Sequence, residues 1–441
     1  MKKEYKINNK LIKLALPLFF INILQQFYSV VDIAFVGNIV GKNAITALSS
    51  AIMISFIINS VCMGITTGAS VMISKFNGEH NKENIKHTIA TLFSLSVIIS
   101  FMLTIIILLS HKNIFEFMNV PLSALNYAND YIKIISFGII FTFGYNAVYS
   151  ILKGYEDSLS CLFFVILSTL VNIFLDYIFI YKLNLEVKGA AFATVISQGI
   201  SFFCSYIYLR TKLLSKIRYK HMYMKKDYVI NIIKIGLPCA VQMTILNISY
   251  LIITKILNGY GTTIASAAGI GLKINTFAAL PCWAIGQAVI NLVSYYYGAR
   301  NINNIKKTIH LSIIYAILSC FILIMIFQIY AYKIIGIFTT DIKVISEGVK
   351  YLRICCSINF VSYAVMYIMD SFMTGVSDSF TAMLNSILQA VIIRVSLSII
   401  LIEIFNLSFI GIYIAEFISP IIPMVVGIIY YLRFIKTKEI V

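Results

Sequence analysis

The chain has 441 residues, 60% of them hydrophobic and only 12% charged, where soluble domains carry roughly 25% charged residues. A soluble fold could not hide that much apolar surface, so lipid is the expected solvent. Continuous apolar runs such as Leu92 to Ser110 and Leu311 to Tyr332 argue against a membrane β-barrel, whose strands alternate, and the net charge of +17 fits cytoplasmic loops better than a nucleic-acid surface.

The head MKKEYKINNK is basic. The apolar run after it, Leu11 to about Val36, is too long for a signal-peptide core and lacks a cleavage site, so it reads as the first span. Runs long enough to cross a bilayer predict twelve spans: 11–37, 48–74, 88–110, 123–152, 159–181, 189–209, 230–257, 264–296, 308–331, 344–374, 381–403 and 409–432. With the N-terminus inside, the outside loops hold only Lys42, Lys112, Lys182, Lys188, Lys333 and Lys343. The other Lys and Arg residues of the connecting segments fall inside. This bias puts both termini in the cytoplasm. All eight cysteines fall in apolar stretches with no metal-site spacing and read as packing residues.

An internal repeat organises the chain. SKFNGEHNKENIKHTI at 74–89 matches SYYYGARNINNIKKTI at 294–309, with Ser74, Gly78, Asn81, Asn84 and Lys86 recurring as Ser294, Gly298, Asn301, Asn304 and Lys306. Leu16-Pro17 recurs as Leu237-Pro238, Asp157-Ser158 as Asp378-Ser379, and Gly189 and Ala193 as Gly411 and Ala415. An even number of spans per copy makes the repeats parallel. The expected fold is an all-α polytopic membrane protein: twelve transmembrane helices in two pseudo-symmetric six-helix bundles. The expected domains are an N-terminal lobe (1–209), a basic, amphipathic cytoplasmic linker (210–229) suited to the anionic inner leaflet, and a C-terminal lobe (230–441).

Charges inside the spans are the candidate site, because a mid-bilayer carboxylate costs roughly 2.5–3.5 kcal/mol on insertion scales. Asp32 lies deep in the first span and Asp176 deep in the fifth, with Asn172 one turn before it on the same face. At an offset of 221, Ile253 and Leu397 stand opposite the two acids, so the second lobe lacks both. Each Asp could instead hydrogen-bond a helix end or a lysine. The second lobe carries Lys255, which can snorkel to the interface, together with Lys273, Asp370, Arg394 and Glu416. Arg394 and Glu416 could pair as structural glue, and Asp370 could be interfacial. Pro17 and Pro238 hold equivalent places in spans 1 and 7, as a fixed bend or as a hinge. Aromatic residues could line a cleft for flat cations.

No P-loop, nucleophile elbow, dinucleotide turn or metal motif is present, so an enzyme or ATP-driven pump has no support and an ion gradient is the expected energy source. The chain resembles the multidrug and toxic compound extrusion (MATE) family, its DinF- and MepA-like bacterial branch. The resemblance rests on LALPLFFINILQQFYSVVDIAFVG, SKFNGEHNKENI, NIFLDYIFI and GAAFATVIS, and in the second half on IGLPCAVQ, INTFAALPCWAIGQAV and YYYGARN. It implies a two-lobe antiporter, acting as a monomer, that rocks between inward- and outward-facing states and exports amphipathic or cationic compounds in exchange for H⁺ or Na⁺. It also implies a coupling site of Gln25, Asp32, Tyr131, Asn146, Asn172, Asp176 and Thr194, with Na⁺ at Asp32, Asn172 and Asp176. The acids that the NorM-type branch places in spans 7 and 10 are not matched. The alternatives are a lipid-linked oligosaccharide flippase of the same superfamily and a non-transporting membrane scaffold or receptor.

Overall fold

The computed structural model describes residues 2–118, 120–212 and 224–439, and its regular structure is helical throughout. Residues 213–223, the middle of the expected linker, lie outside the described residues. The first half holds α1 (Lys2–Ile39), α2 (Lys42–Gly78), α3 (Lys82–Phe117), α4 (Leu122–Gly154), α5 (Ser158–Asp176) and α6 (Glu186–Lys212), with a π-helical stretch, Tyr177–Lys182, extending α5. The second half holds α7 (Lys226–Asn258), α8 (Thr262–Gly298), α9 (Ile302–Gly336), α10 (Ile342–Cys355), α11 (Asn359–Gly375), α12 (Ser379–Ile387), α13 (Ser396–Glu403), α14 (Ile410–Ile418) and α15 (Ile421–Glu439). A second π-helical stretch, Leu388–Val395, joins α12 to α13. Among the described residues eleven segments are long and apolar enough to cross a membrane, and twelve if α10 and α11, bent by 53° at their junction, count as one span.

Span 10 is therefore broken, where the sequence predicts one continuous run. The break at Cys356–Ile358 needs partners for its exposed backbone groups. Gln328 of α9 donates to the Cys356 carbonyl at 3.1 Å, and the Asn359 side chain accepts from the Ser357 amide at 3.0 Å. The last predicted span stays one run, Ile410–Lys438, with a turn at Ser419–Pro420 between α14 and α15.

The turns show the duplication more sharply than the sequence does. Left-handed residues recur in pairs: Gly41 (φ 106°) with Gly261 (95°), His80 (55°) with Arg300 (51°), Glu156 (63°) with Ser377 (69°), Asn184 (50°) with Asn406 (53°), and Glu186 (50°) with Ser408 (52°). The helices after these turns start alike. Asn81 and Asn301 cap α3 and α9, accepting from the amides of Asn84 and Asn304 at 3.1 and 3.0 Å. Asp157 and Asp378 cap α5 and α12, and each also accepts from a tyrosine of the repeat's last helix, Tyr208 at 3.0 Å and Tyr430 at 2.7 Å. Ser74 and Ser294 donate to the carbonyls that end α4 and α11, those of Gly154 and Gly375.

By packing, the chain forms two compact units, Phe20–Ala240 and Met1–Phe19 with Val241–Val441. Both divisions fall inside helices, just after Pro17 and Pro238. Within the first unit, the start of α7 lies against α2 with no room for side chains: a Cβ on Gly64 would stand 2.5 Å from the Ala240 backbone, and one on Gly68 would stand 2.4 Å from the Ile232 carbonyl. Within the second unit, the start of α1 is held by a hydrogen bond from Tyr315 to Asn8, and Lys10 sits 4.8 Å from the centre of the Tyr295 ring.

Candidate functional site

Both acids of the first repeat are carried by apolar helices of the Phe20–Ala240 unit. In α1, Tyr28 and Asp32 are one turn apart and so share a face. In α5, Asn172 and Asp176 occupy the last two turns, and the helix changes to π geometry immediately after Asp176. Such π segments occur frequently at functional sites. α4 brings Tyr131 and α6 brings Thr194. These two helices approach closely because Gly138 faces Val195, where a Cβ would stand 2.3 Å from the valine side chain.

These positions converge. Asp32, Tyr131, Asn172, Asp176 and Thr194 are only 8, 6, 0, 0 and 8% exposed. Asp32 and Asp176 lie near enough for their charges to interact. The Tyr28 hydroxyl is 2.8 Å from the Thr194 hydroxyl. Thr194 in turn lies 3.0 Å from the Ala190 carbonyl. Asp32 Oδ1, both oxygens of Asp176 and both amide atoms of Asn172 have no hydrogen-bond partner. No lysine or arginine among the described residues pairs with either acid.

Buried polar atoms left in this state are costly, and two adjacent carboxylates cannot both be ionised in a dry site without a counter-charge. Carboxylate and amide oxygens are the donor types that can share a proton or accept a hard cation.

Among the described residues, no hydrogen bond joins the other two expected members to these side chains. Gln25 is exposed, and the Asn146 amide donates to the Thr142 carbonyl at 2.8 Å. Thr142 itself donates to Gln198, one turn beyond Thr194 on α6. Tyr28, Thr142 and Gln198 escaped the sequence reading, although Tyr28, four residues before Asp32, was open to it.

In the other unit, Asp370 is 3% exposed rather than interfacial. Its oxygens accept from Asn385 at 2.7 Å and Ser386 at 3.1 Å, and Gln242 donates to Ser386 at 2.6 Å. The turn near Gly375 suggested a membrane boundary, but α12 covers the carboxyl with its first two turns. Arg394 and Glu416 form an ion pair, Nε to Oε2 2.6 Å, and Lys273 is exposed. Pro17 and Pro238 both lie inside continuous helices.

The MatE family profile matches this chain twice, over residues 17–178 and 238–400. Among curated proteins, the chain is 26% identical over 333 residues to the Probable multidrug resistance protein YoeA of Bacillus subtilis, covering 74% of this chain and 72% of that one. It is 24% identical over 356 residues to the Multidrug export protein MepA of Staphylococcus haemolyticus, covering 80% and 78%. Among solved structures it superposes on MATE in complex with MaL6 with a TM-score of 0.92 at 19% identity, covering 99% of this chain and 98% of that one. It superposes equally on a MOP superfamily transporter from Pyrococcus furiosus, again with a TM-score of 0.92 at 19% identity, covering 98% and 97%. With a family profile fitting each half of a twelve-span helical chain, this multi-pass membrane protein belongs to the MatE family, a family of transporters and not of enzymes.

Proposed function

We propose that this chain is a secondary multidrug exporter that exchanges amphipathic or cationic small molecules for H⁺ or Na⁺, with the exchange coupled at Asp32 and Asp176. The observation that carries the reading is a pair of neighbouring buried acids that no lysine or arginine among the described residues pairs with. Relatives bearing multidrug export names support the class of cargo. The setting is the cytoplasmic membrane of a bacterium, with both termini inside and the chain working as a monomer among lipids.

The chemistry follows from the side chains. A proton or Na⁺ held between Asp32 and Asp176 removes their repulsion and lets α1 and α5 stay together. Its departure restores a net charge that a dry pocket tolerates poorly, so α1 moves or water enters. The hydroxyls of Tyr28 and Thr194 rotate to suit either state. Tyr28 donates to Asp32 when that carboxylate is ionised and to Thr194 when it is not. Alternating access then links this local change to rocking of the two halves, and each ion state favours one of the two facings.

The test is ethidium or norfloxacin efflux from proteoliposomes under a pH gradient or a sodium gradient, imposed separately. One gradient drives wild-type efflux, and neither drives it in Asp32→Asn or Asp176→Asn. Wild-type efflux in both variants removes the reading.

A further inference from the structure

The repeat does more than copy the first site. Between the fifth and sixth helices of each copy the register settles at an offset of 222. Asn184 and Glu186 share left-handed turns with Asn406 and Ser408, and Tyr208 caps like Tyr430. Gly189 packs on Phe179 and Ile180 as Gly411 packs on Leu401 and Ile402, and the two family matches end at 178 and 400. The offset is 221 where α5 and α12 begin and 222 in the turns that follow, so the second copy gains one residue between these points, where it carries the π-helical stretch Leu388–Val395. Ser398, rather than Leu397, therefore stands opposite Asp176. Arg394 stands opposite Asn172, and Glu416 opposite Thr194.

The second copy's counterpart of the ion pocket is thus occupied by the chain itself. Arg394 is 1% exposed and the bulkiest of the fully buried side chains. Its Nε lies 2.6 Å from Glu416 Oε2, and its Nη2 donates to Glu416 Oε1 at 3.3 Å and to the Tyr250 hydroxyl at 3.4 Å. Its guanidinium carbon sits 4.4 Å from the Tyr250 ring centre. Ser398 turns away and donates to the Arg394 carbonyl at 2.6 Å. The first copy has two carboxyls and no cation. The second has one carboxylate with a cation fixed to the backbone beside it.

We propose that Arg394 is a tethered stand-in for the exchangeable ion: it fills the second copy's ion pocket permanently, and its removal opens a monovalent-cation or proton site on Glu416. The inference rests on the reading of Asp32 and Asp176 as the ion site. It assigns ion-driven change to one repeat, with the repeat-equivalent pocket held neutral throughout the cycle. A guanidinium is always charged and forks onto a carboxylate, which suits it to hold such a pocket closed where a lysine would exchange its proton.

The test uses the full chain in an Asp32→Asn/Asp176→Asn background, where the first pocket is silent and Asp370 is present in every protein compared. Arg394→Asn writes the first copy's residue into the second. It should bind ²²Na⁺, or take up a proton, at least ~10-fold better than its parent. Added guanidinium chloride should displace the bound ion, and Glu416→Gln should abolish the site. A monodisperse Arg394→Asn protein that gains neither sodium nor a proton overturns the proposal. Should that variant fail to fold, Arg394→Met with Glu416→Met in the otherwise wild-type chain decides. A neutral apolar pair should keep gradient-driven efflux within ~3-fold of wild type, and a folded pair variant that has lost efflux overturns the proposal. Because binding is read directly, wild-type efflux in Asp32→Asn/Asp176→Asn would defeat the coupling reading without deciding whether Arg394→Asn opens a cation site.

Discussion

Asp32 and Asp176 come from different helices, are buried, and pair with no lysine or arginine among the described residues. Replacing either by Asn keeps the shape and removes the charge change. Efflux of ethidium should fall at least ~10-fold in Asp32→Asn and in Asp176→Asn, with membrane levels on immunoblots unchanged. Tyr28→Phe removes one hydrogen bond worth about 0.5–1.5 kcal/mol, so a smaller loss of roughly 2- to 10-fold is expected in the same assay. The two acids and Asn172 were legible in the sequence because charge deep in an apolar run is costly and α5 places Asn172 and Asp176 one turn apart. Gln25 shares a helical period with Asp32 and yet is exposed. Spacing along one helix gives a face but not the neighbour that the face meets. Asp370 shows the same gap, since the residues that cover it, Asn385 and Ser386, lie on another helix.

At the scale of elements, close backbone approach marks where the halves of α1 and α7 part company. Gly64→Ala should cost about 1–3 kcal/mol by overpacking against Ala240. Gly269→Ala, in a helix with nothing within 4 Å of its new Cβ, should leave stability unchanged or raise it by about 0.5–1 kcal/mol. Heating detergent-solubilised protein and measuring the surviving monodisperse fraction compares the two. A hinge at Pro17 predicts that Pro17→Ala, which relieves a helix-interior proline, folds at least as well as wild type but transports more slowly. Unchanged efflux in that variant assigns the proline to a fixed bend. The spans were readable from hydropathy, but the break between α10 and α11 was not. No proline or glycine marks Cys356–Ile358, and the group that accommodates the break, Gln328, comes from α9.

Across the whole molecule, two matching halves carry unlike chemistry. The duplication is plain in the sequence and plainer in the paired left-handed turns, whereas the asymmetry depends on a one-residue drift in register that short sequence blocks conceal. Arg394→Ala leaves Glu416 buried without its partner and should destabilise the chain by about 3–5 kcal/mol, while the paired methionine variant should be close to neutral. Loss of stability on heating should separate the two clearly. The account as a whole turns on ion exchange at the first repeat. Its most direct test is substrate-triggered ion release from the purified chain, following proton release with a dye in weak buffer and ²²Na⁺ in parallel. Substrate should release H⁺ or Na⁺ from wild type and neither from Asp32→Asn/Asp176→Asn; equal release from both proteins would move the exchange away from these two acids.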